Sequence, residues 1–167
     1  MRTYTQTDMD YQLDYLFVKS SDTKSVEAVY QILFRCGIHM AKRFLFHWIP
    51  PYSRRSIRND CDSKYVVLVK DRVLDRYTST FMMKVLEDNC LYIGKIATDP
   101  KYEGQGIGRV NMAFIEKFAK EQCCNRIKLD VYIKSQRAIR FYIRNGFSVI
   151  GTRRSIRFRE CLMQKDL

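Results

Sequence analysis

The 167-residue sequence predicts an α/β domain, spanning 1–167, with a single mixed, mostly antiparallel twisted sheet flanked by helices. Three observations predict it. Between Lys64 and Pro100 strand-like runs are punctuated by short turns, as in an antiparallel meander. After Pro100 helical and strand patterns alternate, which is how a strand–helix–strand unit reads. Three of the seven glycines fall between Gly104 and Gly108, where a strand gives way to a helix.

Along the chain, Tyr15 to Lys19 (YLFVK) reads as a first short strand. Beyond Ser20, a helical stretch places Val26, Val29, Leu33, Cys36, Met40 and Phe44 on one face. Ser21, Asp22 and Thr23 are its capping candidates, because a side-chain oxygen can accept from the unpaired first-turn N–H groups. The helix must stop by Pro50-Pro51, since proline lacks the N–H and clashes with the preceding turn. A short polar helix is expected across Ser53 to Asn59. YVVLV at 65–69 is an apolar strand, Asp71-Arg72 suits a turn, and RYTSTFMMKV at 76–85 alternates as a partly exposed strand does. LEDN is a second turn, and CLYIGKIAT at 90–98 is a strand ending at Asp99-Pro100. The next helix opens within Gly104–Gly108 and turns Val110, Ala113, Phe114, Phe118 and Ala119 toward a core. RIKLDVY at 126–132 is a strand, and SQRAIRFYIRN is a helix closed by Gly146. FSVIGTRRSIRF and CLM supply the closing strands.

Composition narrows the function. Hydrophobic residues make up 46% of the chain, enough for a core in one compact domain. No apolar run approaches the roughly 20 residues that span a bilayer, and the N-terminus has no charged-then-apolar signal pattern. A cytoplasmic protein without a membrane partner is expected. The six cysteines show no CxxC spacing, and His39 and His47 complete no ligand pattern with them, so reduced thiols and no metal site are expected. The net charge of +12 favours anionic partners, with dense basic groups at 54–58 and 153–159. Nucleic acid is the less favoured of these partners, because no zinc finger, RNP-like motif or basic zipper accompanies the charge.

The glycine-rich turn carries the most chemistry. Glycine tolerates positive φ and lets a ligand approach the backbone, while the helix beyond it presents unpaired N–H groups and the positive end of its dipole. Together these make a phosphate cradle. There is no Gly-Lys-Ser/Thr, and Arg109 and Asn111 break the GxGxxG register, so neither a P-loop nor a dinucleotide fingerprint is present.

KIATDPKYEGQGIGRVNM resembles the coenzyme A diphosphate-binding segment of the GCN5-related N-acetyltransferase (GNAT) superfamily, with pattern Arg/Gln-x-x-Gly-x-Gly/Ala. Gly106 and Gly108 match its small positions, and Glu103 stands where that family has a basic or amide side chain. DVYIKSQRAIRFYIRNGF resembles the family's second segment, Asn-x-x-Ala-x-x-Phe-Tyr-x-x-x-Gly-Phe. Ala138, Phe141, Tyr142, Gly146 and Phe147 match, and Ser135 replaces the asparagine. The likeness is close from about Leu91 to Gly151 and only topological before it.

The resemblance implies the GNAT-like acyl-CoA N-acyltransferase fold and acetyl transfer from acetyl-CoA to a primary amine of a small molecule or protein. It implies that Glu103, Gly104, Gln105, Gly106, Ile107, Gly108 and Arg109 form the diphosphate cradle, and that the backbone of Ile96, Ala97 and Thr98 pairs with the pantetheine where two strands splay. It also implies that Ser135 bonds the pantetheine arm and that Tyr142 is the general acid near the coenzyme sulfur. A tyrosine of pKa about 10 is a weak donor to a thiolate of about 8.5, so hydrogen-bond stabilisation is expected beside proton transfer. For the base, Tyr92 lies on a plausible strand stretch whereas the carboxylates Glu87 and Asp88 fall in a turn, and no residue is singled out; His47 and Trp48 are candidates for the acceptor pocket. The basic charge argues against a polycationic acceptor. The alternative is a catalytically inactive coenzyme A-binding sensor or interaction module, which Glu103 and Ser135 favour and Tyr142 opposes. Homodimers through edge strands are common in the family.

Overall fold

The structure, a computed structural model, describes residues 3–8, 11–154 and 157–167. Eight strands form one sheet: β1 (Thr3–Asp8), β2 (Tyr11–Phe17), β3 (Tyr65–Asp71), β4 (Arg76–Leu86), β5 (Cys90–Thr98), β6 (Arg126–Tyr132), β7 (Ser148–Arg154) and β8 (Arg159–Asp166). Their spatial order is β1-β2-β3-β4-β5-β6-β8-β7. The helices are α1 (Thr23–Ala41), α2 (Arg54–Ser63), α3 (Ile107–Glu121) and α4 (Gln136–Arg144), and one 3-10 turn spans Pro100–Tyr102. Among the described residues no helix is long and apolar enough to cross a membrane.

The period of two along β3 assigns the faces. Val67 and Val69 belong to the core that includes Ile107, Phe114 and Phe118 of α3, and that continues to Ile139 and Tyr142 of α4. Val66 and Leu68 point the other way, against Val29, Ile32 and Leu33 of α1 and Ile57 of α2. Because β3 is covered on both faces, its sequence is a continuous apolar run. Tyr15 of β2 stacks flat on Phe114, with ring centroids 3.7 Å apart.

One parallel pairing interrupts an otherwise antiparallel sheet: β5 and β6 run together only from Cys90–Arg126 to Ile93–Leu129. Past that point β5 stays paired with β4, and β6 continues along β8 to Tyr132–Glu160. The β4–β5 register slips where Thr80 faces Ala97 and Met82 faces Gly94, an extra residue on β5 marked by Lys95 at φ 48°. Such a bulge bends its strand and sharpens the local twist. The two strands therefore separate.

Several boundaries differ from expectation. The first strand covers Tyr11–Phe17 rather than Tyr15–Lys19, and β1 precedes it unannounced, because TYTQTD offers no apolar face. Asp22 caps α1 by accepting from Ser25 N at 3.1 Å. The helix ends at Ala41, not Phe44, which sits in a turn at φ 61° and is 82% exposed; its helical spacing was coincidental. Ser53 caps α2, which runs to Ser63 instead of Asn59, its last turn closed by a Lys64–Asp60 pair at 2.6 Å. α3 begins at Ile107, with Gly106 as its N-cap. The closing strands are Ser148–Arg154 and Arg159–Asp166, and the part of the expected strand at Ser155-Ile156 lies outside the described residues.

A buried polar relay fixes α3 on the sheet. The Tyr15 hydroxyl donates to Asn111 Oδ1 at 3.2 Å, and Asn111 Nδ2 donates to Ser79 Oγ at 2.8 Å. Replacing Asn111 with alanine strands two hydroxyls away from water. We predict that Asn111→Ala lowers unfolding free energy by about 2 kcal/mol, measured by urea denaturation. A loss below ~0.5 kcal/mol would show that the relay contributes little.

Candidate functional site

The separation of β5 from β6 opens a cleft of about 1040 Å³, lined by both strands, α1, the loop before α3 and the start of α4. Two groups of side chains line it.

The first group surrounds the glycine-rich loop. Asp99, 3% exposed, ends β5 by accepting from Lys101 N at 3.1 Å and from Arg35 at 2.7 Å. Gly104 and Gly106 then take φ of 81° and 88°. Gly106 gives α3 no side-chain cap, so the positive end of the helix is left for a ligand. Gly108 serves packing: a Cβ there would stand 3.2 Å from Phe141 Cζ, so α3 and α4 approach closely only because it is glycine. The Tyr11 hydroxyl donates to Gln105 O, tying the loop to β2.

α4 adds two candidates. Ser135, its N-cap, is buried, and its Oγ has no partner among the described residues. A buried hydroxyl without a partner in a cleft wall is a group suited to a ligand. Tyr142 is 8% exposed, set between the rings of Phe141 and Phe147. Burial raises its phenol above the ordinary tyrosine range, so it stays protonated.

The second group is aromatic and charged. His47 lies 4.7 Å from the Tyr132 ring and edge-on to Phe158. Burial pushes its imidazole down to about 4, and its Nδ1 has no partner among the described residues. Trp48 packs edge-on to Tyr52, over whose ring Lys95 Nζ sits at 4.1 Å. Lys95 also pairs with Asp60, as does Lys64. Burial would raise the Asp60 carboxyl, but these two ammonium groups outweigh it and hold it below its usual value. Also on β5, Tyr92 Oη donates to Asp130 Oδ2 of β6 at 3.0 Å, and Arg153 of β7 bridges Asp130 at 2.5 Å and Glu160 of β8 at 3.0 Å. Burial first, then the Asp130 charge, raises the Tyr92 phenol. Cys36 donates to Thr98 O at 3.0 Å, and burial, helped by Asp99, pushes its thiol up to about 12.

Ile96, Ala97, Thr98, Glu103, Gly104, Gly106, Ile107, Gly108, Arg109, Ser135 and Tyr142 thus border one cleft, with Tyr92, His47 and Trp48 along its second group. Gln105 is occupied otherwise, its amide donating to Lys101 O at 3.3 Å and its carbonyl accepting from Tyr11. Asp88 pairs with Arg126 at 2.6 Å in the β4–β5 turn. Sequence reasoning missed Asp130, Lys95 and Arg153. An acid or cation alternating along a strand reads as solvent-facing, and nothing local marks the place where a sheet parts.

The family model for the acetyltransferase (GNAT) family matches residues 26–147. Among solved structures, the ribosomal-protein-S18-alanine N-acetyltransferase from Escherichia coli is similar at a TM-score of 0.72 and 17% identity, over 92% of this chain and 93% of that one. The PaiA N-acetyltransferase from Thermoplasma acidophilum, crystallised with coenzyme A, gives 0.70 and 17% over 93% and 99%. A spermidine N-acetyltransferase chimera from Vibrio cholerae and hSSAT gives 0.70 and 13% over 92% and 95%. A search of curated protein sequences finds no match. At these identities the structures establish the fold.

His47 generates a pH prediction. Its folded value of about 4 lies below the ordinary 6.5, so on acidification the unfolded chain takes up a proton first. Stability present above pH 6.5 is lost as pH falls toward 4. We expect His47→Phe, which keeps a ring against Tyr132, to fall less steeply in melting temperature over that window than the parent. Equal slopes would show that His47 is not held neutral.

Proposed function

The chain belongs to the acetyltransferase (GNAT) family, and on that premise we propose that the β5–β6 cleft carries N-acetyl transfer from acetyl-CoA to a primary amine of a small molecule or protein. The observation that supports it most is that β5–β6 pairing stops at Ile93–Leu129, which leaves the facing edges of both strands for a ligand. The cleft suits the coenzyme on three counts: an uncapped helix N-terminus, open space beside Gly104 and an unpartnered Ser135 hydroxyl.

Acetyl-CoA supplies an activated acyl thioester, and the protein has to hold it, expose an amine lone pair and ease departure of the sulfur. The N–H groups of Gly106, Ile107 and Gly108 hold the diphosphate, that of Arg109 being already bonded to Gly106 O, and the backbone of Ile96, Ala97 and Thr98 pairs with the pantetheine as an added strand would. A backbone N–H aimed at the carbonyl oxygen is worth about 3 kcal/mol in such a reaction. Ser135 donates to the pantetheine arm. Asp130, a carboxylate beyond the last β5–β6 pair, takes the proton that the acceptor ammonium must lose before it attacks. Tyr142, kept protonated by burial, offers its O–H to the departing sulfur. Its raised pKa makes full transfer uphill, so the hydrogen bond matters most. Cys36 stays a thiol, which favours direct attack of the amine over an acyl-cysteine relay.

Calorimetric titration with acetyl-CoA is expected to show micromolar binding, and an amine panel to show turnover. Absence of binding at millimolar acetyl-CoA would refute the reading, and binding without turnover on any amine would make the protein a coenzyme sensor. Tyr142→Phe should bind acetyl-CoA as the parent does and lose about a hundredfold in kcat; an unchanged kcat removes Tyr142 from the acid role. Gly106→Val, forced to φ 88° and bearing a side chain beside the helix N-terminus, should fold but lose binding. Unchanged affinity would dismiss the cradle.

A further inference from the structure

Glu103 is the least expected residue in the glycine-rich loop. An acid beside a cradle built for phosphate should repel its ligand, and an isolated one would. Glu103 is not isolated. Its Oε1 is 2.6 Å from Arg137 Nη1 of α4 and 3.4 Å from Arg43 Nη1, just past α1. Its Oε2 meets His39 Nε2 of α1 at 3.1 Å and Arg43 Nη2 at 3.4 Å. Arg35, His39 and Arg43 recur every fourth residue, and they meet Asp99 and Glu103, which are also four apart. One carboxylate thus gathers guanidinium groups from opposite walls of the cleft, at the mouth of the cradle.

We propose that Arg43 and Arg137 are a phosphate clamp for the coenzyme, and that Glu103 holds the clamp together in the free protein and competes with the phosphates for it. This rests on the reading of the cleft as the acetyl-CoA site. Charge supports it: two guanidiniums against one carboxylate leave a surplus of positive charge beside Gly104 and Gly106. Exposure supports it too. The Arg43 and Arg137 side chains are 44% and 60% exposed, and Glu103 is 31% exposed, so these pairs are weak and exchangeable. Each guanidinium has five N–H donors, of which Glu103 engages few, and it matches phosphate oxygens two at a time. A diphosphate brings more charge and more acceptors than one carboxylate. The positive charge that Glu103 does not supply to the loop thus comes from α4 and from the end of α1, and Glu103 sets the affinity below what the clamp alone would give.

Calorimetric titration with acetyl-CoA over a series of salt concentrations tests this directly, with melting temperature as the control for folding. Arg43→Gln and Arg137→Gln should each weaken binding by about tenfold and flatten its dependence on salt. Glu103→Gln should tighten binding by about threefold at low salt. Arginine variants with parental affinity and salt slope, or a Glu103→Gln variant that binds no tighter, would overturn the clamp alone. Wild-type protein that takes up no acetyl-CoA would overturn the reading of the cleft and the clamp with it.

Discussion

Everything functional in this molecule depends on two neighbouring strands that stop pairing halfway. β5 and β6 share four residue pairs and then separate, while each remains held on its other side, β5 by β4 and β6 by β8. Anchoring both outer edges is what makes the gap permanent. A strand with both edges loose would close the gap or fray. The extra residue at Lys95 supplies the bend, and because it lies in the β4–β5 ladder, β5 turns away from β6 without losing its partner. The chain beyond β5 inherits that direction: Asp99 ends the strand, the glycine loop turns the backbone, and α3 starts at the cleft.

The second constraint is charge. A protein of net charge +12 has cations to spare, and around the cleft they are assigned to acids both near and distant in the chain. Lys64 and Lys95 share Asp60, Arg153 spans Asp130 and Glu160, and Glu103 gathers Arg43 and Arg137. The acids keep like charges from repelling one another near the cleft, and the exposed arginines stay available to an incoming anion. Buried Asp60 is the firm end of this range and half-exposed Glu103 the loose one, because desolvation separates a structural pair from an exchangeable one.

Where local periodicity decides an element, the sequence was legible. The apolar strand at β3, the glycine-rich turn and a cap of α1 from among Ser21, Asp22 and Thr23 each arise from a handful of adjacent residues. Where structure depends on partners far along the chain, the sequence was silent. β1 is polar along its length and exists by pairing with β2. Phe44 matched the helix spacing and still left the helix, since three turn hydrogen bonds, Arg43 N and Leu45 N to Met40 O and Phe44 N to Ala41 O, close the chain on itself there. Glu103 read as a departure that weakens a site, because its partners Arg137, Arg43 and His39 stand 34, 60 and 64 residues away in sequence, and only the fold brings them to it. Asp130 was hidden in a strand for the same reason.

The acceptor is the part of the chemistry that the fold leaves open. Similar structures whose TM-scores are near 0.7 include enzymes named for an alanine of a ribosomal protein and for spermidine, so the shared framework serves unrelated amines. On the proposed reading, selection has to come from the aromatic and charged group, which α2, the segment after α1, β5, β6, β7 and β8 build together. Its carboxylates Asp130 and Glu160 already face Arg153, and Lys95 stands over Tyr52. A polycation entering there would meet two fixed cations and would have to displace a guanidinium to reach a carboxylate. On the proposed reading, an acceptor with one amine also has to reach Asp130 past Arg153, but it brings no further positive charge toward Lys95, and the rings of His47, Trp48 and Tyr132 are placed to take its apolar part. If the cleft is the acetyl-CoA site we propose, this arrangement favours an acceptor with one amine and little other positive charge, a property of side chains grafted on the framework and not of the framework itself.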